Sequence, residues 1–149
     1  AFSQDGSMLA SCGVDGSICL WDVKTRRHLR SLSVPSDRLL SIAISPDQKT
    51  LIVGSQGIKA YIFQLDTGDC IQTVENFDIM LLALAISPNG QFFTTNSIGG
   101  RFGLWSTENG ELVHALPIPR PYDGMNIRNV SGLSDTQMNS LRTLGAVDR

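Results

Sequence analysis

DGSICLWDVKT, residues 15–25, carries an aromatic residue, Trp21, whose counterparts Phe63 and Trp105 each lie 42 residues further along the chain. The same offset aligns Ser3 with Ser45 and Ser87, Leu9 with Leu51 and Phe93, and Leu20 with Ile62 and Leu104. It also aligns Leu29 with Ile71 and Val113, and Leu32 with Val74 and Leu116, with no insertion or deletion between residues 1 and 116. A period of roughly 40–45 residues is that of a four-stranded propeller blade. The expectation is therefore all-β, with three tandem units: 1–32, which begins mid-repeat, 33–74 and 75–116.

Within each unit, short apolar or alternating runs are separated by turn chemistry, the signature of strands joined by tight connections. In the second unit the runs are LLSIAI (39–44), TLIVG (50–54), KAYIFQL (59–65) and CIQTV (70–74). The first connection reads FSQDG, ISPDQ or ISPNG, with Pro46 and Pro88 where a turn needs φ near −65°. Asn109-Gly110 is a tight-hairpin signal. LLALAI (81–86) is apolar on both alternating faces, which predicts a strand sandwiched between neighbouring sheets.

The bulk properties narrow the function. The chain has 149 residues, a formal net charge of −2 and a pI near 5.6, with mean hydropathy close to zero. That is enough chain for a buried core, and it gives no general attraction to nucleic acid or anionic membrane. The basic cluster Arg26, Arg27, His28 and Arg30 is read as a solvated edge strand, where cations discourage unwanted pairing. Cys12, Cys19 and Cys70 form no C-x-x-C pair and are odd in number. This speaks against a zinc site and a complete disulfide framework and points to a reducing cytoplasm. The longest apolar run, residues 79–86, is far shorter than the roughly 20 residues of a membrane helix, and AFSQDGS has no signal-peptide pattern.

Trp21-Asp22 at the end of a third strand, inside DGSICLWDVKT, closely resembles the WD-repeat family, and the resemblance covers residues 1–116. It implies β-propeller blades locked by four polar groups: Asp in the second turn, Ser or Thr on the second strand, Trp on the third, and His in the loop before the first. The matching residues are Asp15, Ser11 and Trp21 in the first unit, the His position falling before residue 1. The second unit has Gly57, Val53, Phe63 and Pro35, and the third Gly99, Thr95, Trp105 and Phe77. Only the first unit is then expected to carry the polar lock. Apolar packing around Phe63 and Trp105 is expected to hold the other two, since removing both partners of a buried polar pair is nearly neutral.

Pro117, Pro119 and Pro121 end the sheet pattern, because proline lacks the donor a central strand needs; residues 117–132 are read as a linker. In the 133–149 tail, Ser134 with Gln137 predicts a capping box, Leu133 and Met138 a hydrophobic staple, and Gly145 a C-terminal stop. Docking on an open blade edge or on another domain or chain are the roles open to this helix. PYDGMNIRNVSGLSDTQMNSLRTLGAV resembles the terminal tail of certain bacterial WD-repeat proteins, including signal-transduction NTPases of the STAND type, although no phosphate-binding G-x-x-x-x-G-K-[ST] occurs in this chain.

No chemistry-bearing constellation emerges. Asp5, Asp15, Asp47, Asp66 and Asp69 fall in repeat turns, where Asp serves the local backbone. His28 and His114 do not recur in register, and no metal-ligand spacing or G-x-S-x-G motif is present. No cofactor, metal or catalytic residue is expected. Propellers act through the loops at one end of their blades. Here those loops supply Ser36, Asp37, Arg38, Gln56, Asn76, Phe77, Asp78, Ser97 and Ile98, with Phe77 either an anchor for a partner or packed beneath its loop. The chain is thus read as a non-catalytic WD-repeat scaffold binding protein partners, its ring completed by self-association or by further repeats upstream. The alternative is a regulatory segment of a STAND-type NTPase.

Overall fold

The computed structural model describes residues 1–75, 77, 81–97, 102–116 and 122–148. The chain divides into two compact units, Ala1–Leu116 and Pro117–Arg149. The first contains three antiparallel sheets in which strands adjacent in sequence are adjacent in space. They are β1 (Met8–Cys12), β2 (Ser17–Asp22) and β3 (Arg27–Ser33); then β4 (Leu39–Ile44), β5 (Thr50–Ser55), β6 (Ala60–Gln64) and β7 (Cys70–Val74). The last sheet holds β8 (Leu81–Ile86), β9 (Phe92–Ser97), β10 (Phe102–Ser106) and β11 (Leu112–Leu116). The first sheet has three strands where four were expected. Its fourth position is held by residues 1–3 alone, through the Phe2↔Leu9 bridge and a 2.8 Å bond from the Ala10 N–H to the Ala1 carbonyl.

The 42-residue repeat reappears as geometry. Leu9 lies opposite Trp21, Leu51 opposite Phe63, and Phe93 opposite Trp105. A register shift falls just before each aromatic, at Leu20/Trp21, Ile62/Phe63 and Leu104/Trp105. The first turn is built the same way each time. Ser3, Ser45 and Ser87 donate through Oγ to Asp5, Asp47 and Asn89 at 2.7, 2.6 and 2.6 Å. Each hydroxyl also accepts the backbone N–H of Met8, Thr50 or Phe92 at 2.9–3.0 Å. Those turn residues therefore serve the backbone, as their position in the repeat implied.

Left-handed backbone recurs with the same offset. It is found at Gly6, Gln48 and Gly90 in the first turn, at Gly16 and Ile58 in the second, and at Arg26, Gly68 and Gly110 in the third. At Gly16 a side chain is also sterically barred, because a Cβ would meet the Val34 carbonyl and lie 3.0 Å from that of Asp37.

Two apolar clusters join the sheets. Ala10, Ile18, Leu20, Val34 and Leu39 pack with Leu51, Val53, Phe63 and Leu65; on the other side Ile52, Ala60, Ile62 and Val74 pack with Phe77, Leu81, Phe93 and Trp105. Adjacent residues of β5 thus feed opposite clusters, which is why TLIVG is apolar without alternation. Each fully buried Leu, Ile or Phe contributes about 1.5–3 kcal/mol. β8 departs from the expected sandwich: Leu81 is buried, whereas Leu82, Ala83 and Ala85 are exposed, so only one face of this strand is covered. Arg30 departs from the solvated cluster as well. Its guanidinium donates to the Leu65 and Asp66 carbonyls at 3.3 and 3.1 Å, tying β3 to the next sheet.

In the second unit, α1 (Asp135–Thr143) starts at the expected capping box. Gln137 N donates to Ser134 Oγ at 3.3 Å and Ser134 N to Gln137 Oε1 at 2.9 Å. Gly145 ends it with φ 110°. The Asn126↔Val147 bridge closes the segment on itself around buried Ile127 and Ala146. Pro117, Pro119 and Pro121 lie outside the described residues.

Candidate protein-interaction face

The loop between β3 and β4 and the turn between β5 and β6 meet at one end of the second sheet. Asp37 joins them: its Oδ1 accepts the N–H of Arg38 at 2.8 Å and of Gly57 at 3.2 Å, and its Oδ2 accepts the Tyr61 hydroxyl at 2.8 Å. A backbone bond from Gln56 N to the Arg38 carbonyl, 2.8 Å, completes the clip. Burial raises the pKa of Asp37. Hydrogen bonds from Ser55, Tyr61 and the amides of Arg38 and Gly57 outweigh that and hold the carboxyl below its usual range. The Tyr61 phenol is pushed up, by burial and by the neighbouring carboxylate.

Arg38 and Gln56 are exposed beside this clip, and Ser36 is exposed with φ 67°. Of the expected face residues, Asn76, Asp78 and Ile98 lie outside the described residues, as does the side chain of Ser97. Phe77 does not stand free in its loop. It is 7% exposed, with its ring centroid 4.4 Å from that of Trp105, because a ring of this size gains more from the apolar cluster than from water. Of the two positions open to Phe77, the structure has the packed one.

The expected lock residues are only partly brought together. Trp21 Nε1 donates to Ser11 Oγ at 3.2 Å, but Asp15 turns to its own turn and accepts from Ser17 N and Oγ at 3.0 and 2.6 Å. Phe63 packs in the apolar cluster between the first and second sheets. Trp105 is core too, yet its Nε1 donates to Thr95 Oγ1 at 2.9 Å, so the third sheet keeps a buried polar pair that the apolar expectation left out. The second sheet is not purely apolar either, given the Asp37 clip.

Comparison with known proteins agrees with this geometry. The family profile described as "WD domain, G-beta repeat" matches residues 1–22. The human "U3 small nucleolar RNA-associated protein 4 homolog" is 28% identical over 96% of this chain and 22% of its own length. "COMPASS component SWD3" of Saccharomyces cerevisiae is 24% identical over 78% of this chain and 40% of its own. A solved structure, that of "RRP9 WD40 repeats", superposes with a TM-score of 0.73 at 22% identity, covering 80% of this chain and 38% of that one. The fold is that of WD-type β-propeller blades. The chain spans 22% and 40% of the length of these two curated relatives.

The repeat located Trp21 and Trp105, and the WD-repeat resemblance pointed to Ser11. Tyr61 was missed because it does not recur, aligning with Cys19 and Gly103, and Ser55 because it recurs only as Ser97. No local signal marks this pair, because Asp37 lies between β3 and β4 and Tyr61 on β6, 24 residues further on. Among the described residues no group of His, Cys, Asp and Glu is placed to hold a metal.

Proposed function

We propose that this chain is a non-catalytic protein-interaction scaffold whose partner contacts the loop end of its blades. The observation that carries the reading is the clip at Asp37, which fixes exposed Arg38 and Gln56 side by side on a rigid sheet end. A surface held in place before binding loses little freedom on association. One of the relatives is, by its name, a component of a larger assembly, and that kind of role is the one proposed. The free thiols of Cys12, Cys19 and Cys70 fit a reducing compartment, and the cytoplasm is part of the same proposal. Regulation of a STAND-type NTPase rests on the tail resemblance alone, and the relatives named above add nothing to it.

The test is co-purification of the full-length protein with its cellular partners, quantified by mass spectrometry. The double variant Arg38→Glu/Gln56→Ala is expected to lose partner recovery while keeping its urea midpoint. Undiminished recovery would remove this face from consideration.

A further inference from the structure

Ile58 occupies the turn between β5 and β6 with φ 58°, and 44% of its surface is exposed. One repeat away on either side the residue is glycine, at Gly16 and Gly100, and Gly16 builds its turn at φ 79°. The turn itself therefore does not require isoleucine here. A β-branched side chain in left-handed backbone crowds the following carbonyl, and nearly half of its surface is left in water. Strain that the fold does not require, held at an exposed position, points to a purpose for the side chain itself.

The turn that carries Ile58 is fixed. The preceding residues Gln56 and Gly57 are bonded to Arg38 and Asp37 across the end of the sheet. Arg38 is exposed, and no ion pair engages it among the described residues, whereas Lys59 is paired with Glu75 at 2.7 Å. The end of the sheet thus presents one apolar side chain and one unpaired cation from adjoining segments.

We propose that Ile58 is the apolar contact residue of the interaction face, and that its partner is a protein segment presenting an apolar side chain beside a carboxylate that pairs with Arg38. This rests on the reading of the loop end as the binding face. Such a segment covers the apolar surface that water now meets and supplies the charge that Arg38 lacks, which gives the contact both affinity and register.

A phage-displayed random peptide library, selected on the 149-residue chain, supplies the probe; affinities are then compared on Ile58→Gly, Ile58→Asn and Arg38→Glu. Both replacements at 58 tolerate left-handed backbone, so the urea midpoint is expected to hold or rise. Peptide affinity is expected to fall about tenfold or more in all three variants, with acidic residues enriched beside an apolar one. A lowered midpoint for both variants at 58 would show the side chain to be part of the core and would overturn the proposal. Peptides lost on Arg38→Glu but indifferent to both changes at 58 would overturn the role of Ile58 and leave the face standing. Indifference to all three variants would overturn the face reading along with it.

Discussion

Phe63 and Trp105 share one repeat position and are buried to 3% and 5% exposure, each at the centre of the cluster that joins its blade to the one before. Truncating either ring leaves a cavity that neighbouring strands, held by their ladders, cannot fill. Phe63→Ala and Trp105→Ala are each expected to cost roughly 3–5 kcal/mol in urea unfolding; a loss under about 1 kcal/mol would reject their assignment to the core. Trp105 differs in one respect. Trp105→Phe retains much of the ring yet leaves Thr95 Oγ1 without its donor, which is expected to cost roughly 1–3 kcal/mol. The repeat alone located both aromatics. It left Phe77 open between a partner anchor and a packed ring, and only the structure places it against Trp105.

At the scale of the strand and its turn, the Ser-x-Asp or Ser-x-Asn clip explains why the first connection is so similar in the three blades. Ser45 is buried, donates to Asp47 and accepts from Thr50 N. Ser45→Ala removes both bonds and leaves the amide of Thr50 short of an acceptor. The expected loss is about 1–3 kcal/mol, read from the urea midpoint, together with faster amide exchange at Thr50 than at Ile52. Equal exchange at the two sites in the variant would mean that the hairpin is set by its strands and the clip is incidental. This element was legible in sequence because it is local: Ser, Asp and the amide they serve lie within five residues. The Asp37 clip was not, because its partners Gly57 and Tyr61 are 20 and 24 residues away and meet it only after the sheet has formed.

Across the whole molecule, Asp5, Asp15, Asp22, Asp37 and Asp47 all have lowered pKa values. For Asp5 and Asp47 the leading cause is the hydroxyl of Ser3 or Ser45, for Asp15 that of Ser17, and for Asp22 the amide of Thr25. A carboxyl whose folded pKa is depressed contributes stability above its unfolded value and loses that contribution as the pH falls through the folded one. Urea midpoints are therefore expected to be flat from neutral pH down to about 5 and to decline below about 4. Asp37→Asn should narrow that decline, and a midpoint independent of pH across this range would contradict the turn-clip account. The same molecule leaves apolar side chains uncovered on its first and third blades, among them Phe2, Leu82, Phe102 and Leu116.

The sequence by itself determined the repeat, the strands, the turn chemistry and the helix cap, because each depends on contacts within a few residues or on a pattern copied every 42. The tertiary structure alone decided which side chains reach one another across sheets. It buried Phe77 against Trp105, carried Arg30 to the next blade and gathered Asp37, Gly57 and Tyr61 at one end. Those contacts arise between segments far apart in the chain, where no local rule specifies the pairing; formation of the second sheet gathers the Asp37 clip, and packing of one sheet on another brings the rest into range.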